Sequence, residues 1–81
     1  MWIALINPKN QIINSDMLTD IRIDSTGRFP FVQYYSGEHM IGRECFTHYE
    51  DAENRVDALR TAMNASNQYR TWYGPTAVSY T

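Results

Sequence analysis

The stretch Phe29-Pro30-Phe31-Val32-Gln33-Tyr34-Tyr35-Ser36-Gly37-Glu38-His39-Met40-Ile41-Gly42-Arg43-Glu44-Cys45-Phe46, followed at once by Thr47-His48-Tyr49-Glu50, decides the fold class. Phe29 to Tyr35 is rich in aromatic and β-favouring side chains, which suit a pleated, half-buried surface. Ser36-Gly37 interrupts the run and Glu38 to Phe46 resumes it. With Ser36-Gly37 as a two-residue hairpin loop, Tyr35 faces Glu38, Tyr34 faces His39, Val32 faces Ile41 and Phe31 faces Gly42. Val32, Tyr34, His39 and Ile41 then share one side, and Phe29, Phe31, Met40 and Phe46 the other. In that register Gly42 leaves room for the Phe31 ring.

Thr47 to Glu50 has the form of a capping box, with the Thr47 hydroxyl accepting from the third backbone N–H and Glu50 reaching back. Glu50, Asp51 and Glu53 crowd the first turns, where the helix dipole favours anions. Tyr49, Ala52, Val56, Leu59 and Met63 step by three and four and make one narrow apolar stripe. Asp51 and Arg55 are spaced as a surface ion pair. The helix ends over residues 64–67.

Upstream, Trp2 to Ile6 reads as a strand, Asn7-Pro8-Lys9-Asn10 as a type I turn and Gln11 to Ile13 as a short returning strand. Asn14-Ser15-Asp16 is a turn cluster. Ile21 and Ile23 then alternate with Arg22 and Asp24, the pattern of a half-buried strand. Ser25 to Arg28 turns the chain into the hairpin. The expected fold is α+β: a small antiparallel sheet of four to five strands with one helix in the C-terminal half packed on it, in a single domain over residues 1–66.

Residues 67–81 differ from the rest. They hold no acid, the single cation Arg70, and Tyr69, Trp72, Tyr73 and Tyr80 out of eleven aromatic residues in the chain. Gly74-Pro75 reads as a turn and residues 77–81 as a final strand. The segment is expected to fold back on the sheet or to bind a partner.

Composition narrows the function. Of 81 residues, 43% are hydrophobic and 20% charged, which is too apolar for a disordered chain. Seven Lys and Arg against nine Asp and Glu give a net charge of −2, so no surplus of cations exists for sequence-independent DNA binding. Six of the seven cations are Arg, which favours planar and stacking contacts. One cysteine, Cys45, excludes an intramolecular disulfide and a cysteine-rich zinc site. The apolar start at Trp2 to Ile6 is too short for a signal core or a membrane span, and the Met1 start reads as a small, complete, cytoplasmic gene product.

No chemical constellation emerges. Cys45 and His39 would stand about 20 Å apart along one strand, too far for a nucleophile and its base. His48 lies across the strand-to-helix junction. His39 and His48 match no common metal-ligand spacing. The glycines are isolated, so no phosphate-cradling loop exists. Asp16/Asp20 and Glu50/Asp51 read as turn and cap chemistry. We therefore expect no catalytic residue, no metal and no cofactor.

The binding reading is stronger. Tyr, Trp and Arg dominate protein interaction hot spots, and Tyr69-Arg70-Thr71-Trp72-Tyr73 concentrates them. Together with Tyr34 and Tyr35, residues Tyr69, Arg70, Trp72 and Tyr73 are the expected partner-binding set. The expected function is a non-catalytic protein-binding module, of the kind a phage or mobile element uses to occlude a host protein, with self-association as a variant. The alternative is a single-stranded nucleic-acid binder whose platform is Phe29, Phe31, Tyr34 and Tyr35 with Arg22, Arg28 and Arg43.

Overall fold

The structure, a computed structural model, describes residues 1–6, 11–65 and 70–72. The elements in chain order are β1 (Trp2–Ala4), β2 (Ile12–Asn14), a 3-10 turn (Ser15–Met17), β3 (Asp20–Asp24), β4 (Phe31–Ser36), β5 (His39–Cys45), α1 (Tyr49–Asn64) and β6 (Thr71–Trp72). The architecture is α+β, with α1 in the C-terminal half packing on the strands. Among the described residues the strands form two three-stranded sheets, ordered β2-β1-β6 and β3-β4-β5, in place of one continuous sheet. The sheets are antiparallel except where β6 joins β1 in parallel. The turn read over residues 7–10 and the strand read over 77–81 lie outside the described residues.

Local chemistry explains the connections. The Asn14 side chain accepts from the Asp16 N–H at 3.0 Å and starts the 3-10 turn. Gly37 has φ +63°, the left-handed conformation that a primed hairpin turn needs and that glycine adopts without strain. The hairpin loop is Gly37-Glu38, because Ser36 faces His39 and Tyr35 faces Met40. This corrects the register expected from the sequence.

A second correction follows one residue further on. Tyr34 faces Gly42, so β5 advances two residues while β4 advances one, and Ile41 is the extra residue of a β-bulge. A one-residue slip exchanges the faces of everything beyond it. Val32 and Tyr34 therefore share their face with Gly42 and Glu44, whereas His39 is exposed. Gly42 faces Tyr34, not Phe31, and its bare backbone admits the first sheet: a Cβ there would lie 3.1 Å from Leu5 Cδ1 and 3.4 Å from Ile13 Cγ2.

The helix also departs from expectation at its start. Its N-cap is His48, in extended conformation and without a side-chain cap bond, so the Thr47–Glu50 capping box is not formed. Phe46 still belongs to the sheet, its N–H donating to the Pro30 carbonyl at 2.9 Å. Thr47 and His48 are used to turn the chain. Glu50 and Asp51 do occupy the first turn, where the dipole favours them. The buried face is Ala52, Arg55, Val56, Leu59 and Ala62, while Tyr49 is exposed and Met63 only half-buried. The apolar stripe is thus rotated toward Arg55.

The buried apolar side chains form one cluster that draws on every layer. Ile3, Leu5 and Ile13 come from the β1–β2 hairpin, Val32 and Tyr34 from β4, Ala52, Val56, Leu59 and Ala62 from α1, and Trp72 from β6.

Candidate functional site

The densest polar constellation is buried at the junction of the two sheets and the helix. The bulge turns Glu44 inward from β5, and the helical repeat places Arg55 opposite it. Arg55 Nε donates to Glu44 Oε1 at 3.0 Å and Arg55 Nη2 to Glu44 Oε2 at 2.7 Å, a bidentate fork. Arg55 Nη2 also donates to the Ala4 carbonyl at 2.8 Å. The Ile6 N–H donates to Glu44 Oε2 at 2.6 Å, and the Tyr34 hydroxyl donates to Glu44 Oε1. Beneath the fork lies Trp72, with the Arg55 guanidinium 4.4 Å from a ring centroid.

Exposure is 0% for Glu44 and Tyr34 and 2% for Arg55. Burial, then the Glu44 charge and the hydrogen bond to it, push the Tyr34 hydroxyl far above the ordinary tyrosine range, against an opposing influence of Arg55. The phenol stays neutral and donates. Each Glu44 oxygen accepts two hydrogen bonds from the protein. Among the described residues no buried side-chain nitrogen or oxygen lacks a partner. The constellation ties β1, β4, β5, α1 and β6 together and is closed to ligands.

The expected Asp51–Arg55 surface pair gives way to this arrangement: Asp51 is exposed and Arg55 points to Glu44. Glu44 carried no signal in the sequence, because its inward face depends on the bulge. Arg55 did carry one. It sits three residues after Ala52 and four before Leu59, on the buried face, but hydropathy discards an arginine there.

Among the described residues two outer faces remain open. On the first sheet, Trp2 pairs with Asn14 and Thr71, and Ala4 with Ile12, so these residues share the side opposite the buried Ile3, Ile13 and Trp72. Trp2 is 50% and Ile12 58% exposed, and no charged residue stands among the five. Arg70 adjoins them, its carbonyl accepting the Trp2 N–H at 2.9 Å.

The outer face of the second sheet is charged. Arg22 lies 4.6 Å over Tyr35 and Arg43 5.1 Å over Phe31, while Arg28 lies 5.5 Å over Phe29 in the preceding turn. Arg22 also bonds Asp20 at 2.6 Å, which raises its already high pKa. Asp24 accepts from the Thr26 hydroxyl and N–H, and these bonds, the hydroxyl first, hold its carboxyl below the usual range.

The sequence-predicted residues separate accordingly. Tyr34 and Trp72 are buried in the core, Trp72 at 7% exposure. Tyr35 is half-buried on the charged face and Arg70 is exposed. Tyr69 and Tyr73 lie outside the described residues. His39 and Cys45 stand at opposite ends of β5, and His48 lies beyond it at the helix N-cap. Among the described residues no group of three or more His, Cys, Asp or Glu side chains could hold a metal ion, and no helix is long and apolar enough to cross a membrane.

Comparison with protein-family models, with curated proteins and with solved structures finds no match to this chain.

Proposed function

We propose that this chain is a non-catalytic protein-binding module that acts by occluding a surface of its partner, as a phage or mobile-element inhibitor of a host protein would. The observation that carries the reading is the outer face of the first sheet, where Trp2 and Ile12 are half or more accessible with no charged residue among their strand partners, and the Arg70 backbone adjoins Trp2. Tryptophan and arginine next to exposed aliphatic area is the composition of interaction hot spots. A large ring kept in water is a solubility liability that partner burial relieves. The tail adjoins the face through the Arg70 carbonyl and Thr71, while Trp72 supports it from beneath.

The test is affinity capture from the native host with wild type, Trp2→Glu and Arg43→Glu, each checked for an unchanged melt. A protein retained by wild type and Arg43→Glu but lost with Trp2→Glu supports the proposal. Equal retention by all three places the contact elsewhere.

A second reading is favoured by the stacked Arg22/Tyr35 and Arg43/Phe31 pairs, which resemble a platform for single-stranded nucleic acid. Asp20 and Asp24 on the same face count against it. Titration of an oligonucleotide at low salt decides: binding lost in Arg43→Ala and kept in Trp2→Glu favours this reading over the first.

A further inference from the structure

The second sheet has two edge strands, β3 and β5. At β5 the bulge at Ile41 interrupts the ladder and twists that edge. At β3, no strand lies alongside among the described residues. Edge strands of this kind present unpaired N–H and C=O groups, and proteins commonly protect them with proline, a bulge or repelling charge. Here β3 is a regular five-residue ladder against β4, without proline and without a bulge.

Its charges alternate in sign. Asp20, Arg22 and Asp24 all lie on the outer face, opposite Ile21 and Ile23. That pattern is self-complementary when a two-fold axis lies at Ile21 or at Ile23. An antiparallel second copy related by a two-fold axis at Ile21 sets Asp20 against Arg22 twice. An axis at Arg22 would set arginine against arginine and Asp20 against Asp24. A parallel in-register copy would set every charge against itself. An axis at Ile23 would set Arg22 against Asp24 twice, but it would run the partner into the bends that follow Ser25, whereas an axis at Ile21 continues along Leu18, whose backbone is extended.

We infer that β3 is the contact between two copies of this chain, joined antiparallel about Ile21 into a continuous six-stranded sheet. The Arg22–Asp20 bond within one chain uses Nε and Oδ2 and leaves both side chains about half exposed, at 60% and 45%. The two Nη groups and Oδ1 are not part of it. On the opposite side of the strand, a groove of about 300 Å³ runs between β3 and α1, lined by Leu18, Ile21, Val56 and Met63 with Arg60. A second copy along β3 brings the equivalent groove beside it and covers apolar area that one chain leaves half open. The contact is separate from the Trp2 face, which stays free for a partner. It is short, so Kd is expected near ~10–100 µM, the weak end for specific interfaces.

Charge reversal tests the arrangement, because opposite charges across strands attract and like charges repel. Sedimentation equilibrium over the expected range is measured for wild type, Asp20→Arg, Arg22→Asp and the double swap, with a melt for each. Either single reversal is expected to raise Kd at least about tenfold, and the double swap to restore it within about threefold. An equimolar mixture of the two single variants is expected to form a heterodimer as tight as the wild-type homodimer, since its facing charges are again opposite. A wild-type chain that stays monomeric overturns the inference. So does a mixture no tighter than its components. A dimer indifferent to both reversals but lost in Trp2→Glu also overturns it and moves self-association to the first sheet.

Discussion

Arg55 and Arg22 have the same two partners by type and opposite fates. Each pairs with a carboxylate, Glu44 at 2.7 Å and Asp20 at 2.6 Å, and each lies over an aromatic ring, Trp72 at 4.4 Å and Tyr35 at 4.6 Å. Arg55 is 2% exposed at its side chain and Arg22 60%. In water such a pair contributes little, because solvent and salt screen it. Out of water, the cost of desolvation is offset only while every member is present, and removing one leaves a buried charge at ~3–5 kcal/mol. Identical chemistry is therefore architecture at Arg55 and available surface at Arg22.

The largest expected effect comes from breaking the buried member of the comparison. Glu44→Gln keeps the shape and strands the guanidinium, so unfolding in urea should show a loss of ~3–5 kcal/mol. Replacing both partners, as Glu44→Leu with Arg55→Met, should lose less than the sum of the single changes, since no charge is left unpaired. Trp72→Ala should lose ~3–5 kcal/mol by opening a cavity beneath the fork. A Trp72→Ala chain that melts like wild type would mean that β6 adds nothing to the core.

Burial of Tyr34 makes stability depend on pH. Its hydroxyl is held neutral in the folded chain well above the tyrosine value of 10.0. Above that pH the unfolded chain releases a proton that the folded chain retains. Stability is therefore fully present below about pH 10 and falls as pH rises further. The decline should be shallower in Tyr34→Phe, which has no proton to lose at this site. Equal alkaline slopes in the two chains would contradict the buried donor. The smallest effect is at the helix start: Thr47→Ala should stay within about ±0.5 kcal/mol, because Thr47 is not the cap and is exposed.

The same contrast explains what the sequence revealed. Alternation at Ile21 to Asp24, the aromatic run before Gly37 and the three-and-four spacing of Ala52, Val56 and Leu59 are local signals. They made the meander, the helix and the α+β class legible. The hairpin register was not legible, because Ser36-Gly37 and Gly37-Glu38 are both plausible loops and the bulge at Ile41 leaves no mark on composition. Glu44 stayed hidden with it. Trp72 could be read from the sequence as core or as contact, since a ring suits either and only the pairing of β6 with β1 places it. Trp2 stands in the sequence simply as the start of a strand, and its accessibility emerges once Ile3 is fixed as the inward neighbour.

The most direct measurement is a pair of urea unfolding curves, Arg55→Met beside Arg22→Met, each referred to wild type. Both substitutions remove a guanidinium from a carboxylate and a ring, and both keep a long apolar side chain. Arg55→Met should lose ~3–5 kcal/mol, whereas Arg22→Met should unfold at nearly the wild-type midpoint. Equal losses, or a larger loss at Arg22, would contradict the claim that burial makes the Arg55 fork part of the fold and leaves the outer faces for binding.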